Sequence, residues 1–470
     1  MKYHTRKSYL KKIASQSKSD ILVLIVITIV SAAFFYVTTN FGLFTTHDSG
    51  IYLNAARFLS SNNELIDVWN NSLILYPPLY PLFLTIGKIT GVTYGMHFLV
   101  FIINCFLVWK FCGQIFVTKL FKTLSIIAVI TTLPFFLVHL FYWSEGVYIL
   151  LSLCFLLSSL HYLKKQTFKT LLLLAFITAL MPLQRLVGVS LICYASIFVF
   201  LVSDKTTRIK KGIFVFLASS SAILLWIIRN IILTGRAFEN YQSNTGGFLL
   251  SQLYTPLEFL STYFVPLTFS FSIKIGIVIG VFVLILLVNK TQHILLLTSY
   301  VLFYVLFIIF VDVFKDVGTT NLDNIERYLS VVSPMVMILV FLSLENIQKT
   351  TLKFKPQIIA LLFILWFIYP SYRMYKNVKM WHGHGAGYST SYWIDSKVIV
   401  WLNNIEPDKV VLSDNPTLIA SLTNHKSIYL SNNQGVESKY IVLFNQEDIK
   451  HKNLYRKIEF PKANVFMKYE

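Results

Sequence analysis

The chain has 470 residues, 55% of them hydrophobic and 13% charged, with a mean hydropathy of +0.63. That much apolar sequence exceeds what a water-soluble core needs and fits a chain that crosses a membrane many times. A formal net charge of +19 would point to nucleic acid in a soluble protein, but the basic residues gather in short segments between apolar runs, so membrane sidedness explains them and no nucleic-acid partner is expected.

Residues 1–20 form a basic head carrying Lys2, Arg6, Lys7, Lys11, Lys12 and Lys18, followed by a first apolar run at 21–38. The run is too long for the core of a cleavable signal, and no small-residue cleavage site stands close behind it. By the positive-inside rule the head stays in the cytoplasm and residues 39–95 emerge on the far side. This first outer segment opens on Thr45-Thr46-His47-Asp48-Ser49-Gly50-Ile51-Tyr52. One reading makes Asp48 a catalytic base, with Tyr52 one helical turn away; the other makes the stretch a polar turn or helix cap after a span. Ile51–Leu59 has the pattern of an amphipathic helix. Tyr76-Pro77-Pro78-Leu79-Tyr80-Pro81 then breaks the chain before a second short apolar helix, Leu82–Ile89. Both helices suit the plane of the membrane interface.

Further apolar runs at 96–117, 123–141, 144–163, 170–185, 187–203, 212–232, 271–289, 293–313, 327–344 and 357–370 predict about eleven spans in all. The inner links carry Lys119 and Lys122, then Lys164, Lys165 and Lys169, then Lys205, Arg208, Lys210 and Lys211, then Lys290, then Lys349, Lys353 and Lys355. The outer links hold most of the acids, among them Asp48, Glu64, Asp67, Glu145, Glu239, Glu258, Asp316, Asp323 and Glu326. An odd number of spans places the C-terminus outside. The expected location is a membrane, with a transmembrane module at 21–370 and a separate outer domain at 371–470. That domain alternates strand-like runs (Lys409–Leu412, Ser427–Leu430, Tyr440–Phe444, Asn464–Tyr469) with helical ones (Ser396–Asn404, Pro416–Thr423), which predicts a small α/β unit. The four cysteines, Cys105, Cys112, Cys154 and Cys193, sit in apolar runs without metal-ligand spacing, so neither a disulfide framework nor a zinc site is expected.

Charges at membrane depth are costly and mark candidate functional positions. Glu145 opens the fourth span, Arg185 ends the fifth, Arg229 ends the seventh and Arg327 starts the tenth, all on the side that holds Asp48. Each alone could be an interfacial anchor, with arginine snorkelling to headgroups. Together they make an outer cavity of carboxylates and guanidiniums. Guanidinium binds phosphate bidentately, and a nearby carboxylate accepts a proton from an attacking hydroxyl. Sugar transfer from a phosphate-linked donor by direct displacement uses both functions. The chain has no P-loop and no GxGxxG, and a donor carried on a membrane lipid suits a catalyst set among spans. His139 and Tyr142 flank the turn between the third and fourth spans; His139 either lines the cavity or is structural. Trp143, Trp226 and many tyrosines fit an interface belt.

These residues resemble the multi-spanning GT-C glycosyltransferases, in the branch of bacterial dolichyl-phosphate-mannose-like and aminoarabinose-transferase-like proteins. Asp48 followed by Tyr52 resembles the first-loop acidic motif, and Tyr76-Pro77-Pro78-Leu79-Tyr80-Pro81 the segment leading into the second interfacial helix. Ser144-Glu145, Gln184-Arg185-Leu186-Val187-Gly188, Trp226–Asn230 with Thr234-Gly235, and Arg327-Tyr328-Leu329 with Pro334 follow in the family's order. Gly387-Tyr388-Ser389 and Ser413-Asp414-Asn415 are similar to the outer domain of some members. The resemblance implies a bacterial inner-membrane location, a polyprenyl-phosphate-linked sugar donor, an extracytoplasmic active site, and a lipid, glycan or protein acceptor. It implies Asp48 as base or acceptor-orienting group and Arg185, Arg327 and Arg229 as donor-phosphate ligands. Tyr52, Tyr76, His139, Glu145 and Tyr328 are then the expected substrate contacts, with Glu145 holding an arginine or touching the sugar. Many relatives carry two adjacent acids where this chain has His47-Asp48-Ser49, so no metal or other cofactor is expected to be required. A transporter or flippase of lipid-linked sugars is the alternative, and a membrane scaffold a third reading. A transporter should thread polar residues through the bilayer, whereas here the charges gather at one face, with Lys110 and Lys274 as exceptions.

Overall fold

A computed structural model describes residues 18–238, 251–287, 291–314, 322–350, 355–432, 438–445 and 455–468. Most of the basic head, Lys290, Lys353, Glu239 and Asp316 lie outside the described residues.

The chain is a multi-pass α-helical membrane protein with a small C-terminal sheet domain. Among the described residues, six helices are long and apolar enough to cross a membrane: Ile21–Thr38, Thr93–Ile115, Glu145–Lys164, Arg208–Thr234, Gln292–Val311 and Pro356–His384. Lys119–Ile130 and Leu133–Leu140 form a seventh span if taken as one, bent by 43° at the break. Thr131 and Thr132 interrupt the ladder there, and Pro134 starts the second piece. Phe168–Gln184, Gly188–Val202 and Phe271–Ile285 are apolar but shorter. The sequence treats 123–141 and 327–344 as single spans; each is two helices, the second pair being Leu322–Ser330 and Ser333–Thr350. The last helix runs past residue 370, where the sequence ends it, because Pro370 is accommodated inside it.

Glu145–Lys164 is the most enclosed of the long helices and packs against Thr93–Ile115 and Phe168–Gln184. Several buried hydroxyls within the bundle pair across helices, as a lipid-embedded core favours. Tyr300 Oη donates to Ser152 Oγ at 2.7 Å, Tyr162 Oη pairs with Ser203 Oγ at 2.6 Å, and Tyr304 Oη donates to the Tyr328 carbonyl at 3.0 Å.

Two helices of the first outer segment, His47–Asn62 and Leu79–Thr90, pack against each other. Both extend the sequence assignment by a turn or less at each end. The C-terminal domain lies on the first of them. Its short ribbon pairs β1 (Gly385–Ala386) with β2 (Ser389–Thr390), and its main sheet contains β3 (Val410–Ser413), β4 (Lys426–Tyr429), β5 (Tyr440–Leu443), β6 (Tyr455–Phe460) and β7 (Ala463–Lys468). The order is β4-β3-β5-β7-β6, with β3 parallel to both β4 and β5, and β7 antiparallel to β5 and β6. The sequence misses β6, whose run Tyr-Arg-Lys-Ile-Glu-Phe carries three charges.

Candidate active site

The start of the first-loop helix is fixed by backbone on two sides. Phe44 N donates to the Leu140 carbonyl at 2.8 Å, and Tyr142 N donates to the Phe44 carbonyl at 2.9 Å. On the other side Tyr388 N donates to the Thr45 carbonyl at 2.8 Å. Gly387 makes that approach possible: its φ is +59°, and a Cβ there would sit 3.1 Å from the Thr45 carbonyl carbon. Thr46 is the N-cap, its N–H donating to Ser49 Oγ at 3.0 Å, while Trp143 Nε1 donates to Thr46 Oγ1 at 2.9 Å. Asp48 therefore stands in the first helical turn, where the helix dipole favours a carboxylate.

Arg185 is placed by a different device. It follows Gln184 at a break between two apolar helices, Phe168–Gln184 and Gly188–Val202. Gly188 sits so close to the backbone of Met181 and Pro182 that a side chain there would collide. The break turns Arg185 toward the start of Glu145–Lys164. Arg327 comes from the short helix Leu322–Ser330, which packs against both Leu133–Leu140 and Glu145–Lys164.

These elements bring four charges into one chain. Arg327 Nη1 pairs with Asp48 Oδ2, Arg327 Nε pairs with Glu145 Oε1, and Arg185 Nη1 pairs with the same Glu145 oxygen. Glu145 is fully buried; the side chains of Arg185, Arg327 and Asp48 keep 13%, 12% and 25% of their exposure. Arg185 also donates to Ser144 Oγ at 3.0 Å. Both guanidiniums lie against aromatic rings, Arg327 at 4.8 Å from the Trp143 centroid and Arg185 at 5.7 Å from that of Tyr328. Tyr76 Oη donates to Asp48 Oδ1 at 2.6 Å. Tyr52 packs its ring 4.7 Å from Tyr76 and 4.9 Å from Tyr80. Burial pushes the Asp48 carboxyl up, but Arg327, the Tyr76 hydroxyl and, last, His47 outweigh it and hold Asp48 below the usual carboxylate range. Burial also raises the Tyr76 and Tyr52 hydroxyls, so Tyr76 stays a donor.

Asp48, Glu145, Arg185, Arg327, Tyr52, Tyr76 and Tyr328 thus meet as the sequence expects. Two expected residues do not join them. His139 is 1% exposed and has both ring nitrogens engaged, Nδ1 with the Phe135 carbonyl at 2.7 Å and Nε2 with Asn104 Nδ2 at 2.8 Å. It ties the Leu133–Leu140 helix to Asn104 of the Thr93–Ile115 span and has no contact with the Asp48 group of charges. Arg229 donates to the Leu73 carbonyl at 2.8 Å and Asn230 Oδ1 at 3.0 Å and lies 4.5 Å from the Trp226 centroid, tying the first outer segment to its span. Trp143, assigned by the sequence to an interface belt, instead touches Arg327 and Thr46; its position beside Ser144-Glu145 was the available signal. Lys274, an exception to one-sided charge, pairs with Glu258. Among the described residues no three His, Cys, Asp or Glu side chains group as metal ligands.

No family model and no curated protein matches the chain. Among solved structures it is similar to ArnT from Cupriavidus metallidurans bound to undecaprenyl phosphate, with a TM-score of 0.61 at 10% identity over 94% of this chain and 97% of that one. The apo state of the same protein gives 0.60 at 11% identity over the same shares of both chains. Arabinofuranosyltransferase AftD from Mycobacteria gives 0.54 at 11% identity, over 94% of this chain and 41% of that one.

Proposed function

The chain has the GT-C-type membrane fold, and on that fold we propose that it is a glycosyltransferase taking its sugar from a polyprenyl-phosphate donor. The acceptor is met on the membrane face that carries the C-terminal domain, which we take as the extracytoplasmic face of a bacterial inner membrane. The observation that carries this reading is the chain Asp48–Arg327–Glu145–Arg185. It sets a partly open carboxylate against one guanidinium, which buried Glu145 links to a second, partly open guanidinium. The undecaprenyl phosphate seen in ArnT supports a lipid phosphate as the donor's carrier.

In this reading the acceptor hydroxyl attacks the anomeric carbon as the bond from that carbon to the phosphate oxygen breaks. The hydroxyl proton passes to Asp48, and the bonding pair leaves on the phosphate. Arg327 and Arg185 stabilise the charge that develops there. Glu145 holds both guanidiniums in register, which limits the reorganisation needed when the phosphate arrives. Tyr76 keeps Asp48 oriented, and Tyr52 with Tyr328 lines the sugar's approach. The Asp48 carboxylate is ionised in the resting enzyme, as a base must be.

The test is to reconstitute the protein in lipid with a panel of polyprenyl-phosphate sugars and a membrane extract as acceptor source. Release of free polyprenyl phosphate with one donor supports the reading and names the sugar. Donor that crosses sealed vesicles intact, with no release, would instead establish a flippase.

A further inference from the structure

A cavity of about 220 Å³ lies where the two first-loop helices meet the C-terminal domain. Its wall includes Arg57, Lys88, Tyr142, Ser421, Thr423 and Asn424. Arg57 is the unusual group. It is 6% exposed, yet among the described residues its guanidinium pairs with no carboxylate. It donates only to the carbonyls of Ala420 at 2.5 Å, Thr423 at 2.5 Å and His425 at 3.0 Å. Three of its five donors are used in this way, all on peptide carbonyls, and Asp408 acts on the charge only from beyond contact distance. Buried charges are normally paired. Burial pulls the Arg57 guanidinium down to about 10, with Asp408 opposing. Lys88 gives the same cavity a second cation, held by Asp408 at 2.6 Å on its exposed side. Ser421 Oγ is buried with no partner.

The surroundings indicate what kind of anionic molecule suits this cavity. The Leu79–Thr90 helix, which supplies Lys88, turns Leu82, Ile86 and Ile89 outward at 42%, 57% and 70% exposure, and Val92 follows at 51%. In a membrane protein that face is covered by hydrocarbon. A polar, cationic cavity opening beside a lipid-facing helix fits a molecule with a phosphate at one end and acyl or prenyl chains at the other. We propose that the Arg57–Lys88 cavity binds the phosphate ester of an anionic lipid, as a site separate from the Asp48 cluster and independent of the transferase reading.

Native mass spectrometry of the full chain in detergent tests this, with short-chain phosphatidylglycerol, phosphatidylcholine and inorganic phosphate titrated separately. Phosphatidylglycerol should be retained about tenfold more tightly than phosphatidylcholine. Lys88→Gln should lower that retention about tenfold. Asp408→Asn should raise it by freeing Lys88; Asp408 has a φ of +61°, which asparagine accepts, so this gain of binding does not depend on tolerating damage. Asp48→Asn should leave retention unchanged, which separates this site from the active site. Equal retention of the two lipids, or retention indifferent to both Lys88→Gln and Asp408→Asn, would overturn the proposal. Inorganic phosphate held as tightly as phosphatidylglycerol would overturn the lipid as the anion's source.

Discussion

Arg327 grips Asp48 across 279 residues of sequence. The contact joins the first outer helix to the tenth predicted span, and the same guanidinium reaches Glu145 through Nε. A lysine has one nitrogen and cannot hold both carboxylates in this fork. Arg327→Lys should therefore lower kcat/KM by about 10²-fold or more, the order seen when one preorganised charge donor is removed. Turnover measured with the donor that the release assay names checks this; unchanged kcat/KM would remove Arg327 from the transition state.

The pH profile follows from Asp48. Its folded pKa is depressed, so its ionised contacts contribute stability above the unfolded value and lose it as pH falls through the folded one. The acid limb of kcat/KM should then lie below the ordinary carboxylate range of about 4. Tyr76→Phe removes one of the lowering contacts while burial remains, so the limb should move up. A limb at the same pH in both proteins would mean that another group controls it.

Glu145 is fully buried and neutralises two arginines. Glu145→Gln leaves Arg185 without its carboxylate and Arg327 with Asp48 alone, and stranding a buried charge in this way typically costs about 3–5 kcal/mol. The melting temperature in detergent should fall clearly, with activity lost as well. Arg185→Lys, at a more open position, should instead keep the fold and weaken donor binding, because lysine lacks the planar bidentate contact.

The C-terminal domain docks on the His47–Asn62 helix through a close approach at Gly50. A Cβ there would lie 2.7 Å from Thr417 Cα and 2.8 Å from Thr417 Cβ. Gly50→Ala should push the two apart and cost about 1–3 kcal/mol, the usual range for overpacking. Gly276, with nothing within 4 Å of such a Cβ, is the control: Gly276→Ala should be neutral or stabilising by at most about 1 kcal/mol. Equal effects at both positions would show that the approach at Gly50 carries no constraint.

Much of this site was legible in the sequence because charge is scarce in the bundle. Asp48, Glu145, Arg185 and Arg327 stand out against apolar runs, and charge asymmetry between links put them on one face. Their mutual pairing was not legible, since it depends on a helix break at Gly188 and on the separate Leu322–Ser330 helix. His139 and Arg229 are both polar residues near the membrane surface, but His139 bonds its helix to Asn104 of the neighbouring span and Arg229 caps a loop carbonyl. Composition cannot separate such structural uses from catalytic ones. Arg57 was overlooked for a related reason: it sits in an amphipathic run where an arginine reads as a solvent-facing residue, and its burial arises only when the C-terminal domain covers it.

The most direct test of the central claim compares wild type with Asp48→Asn in lipid, following single-turnover release of polyprenyl phosphate from the active donor. Asparagine keeps the size of the side chain and its acceptance of the Tyr76 hydrogen bond but cannot take the acceptor's proton. The account predicts a loss of about 10²–10⁴-fold in rate with donor binding retained. An Asp48→Asn protein that folds, binds donor and turns it over at the wild-type rate would contradict it.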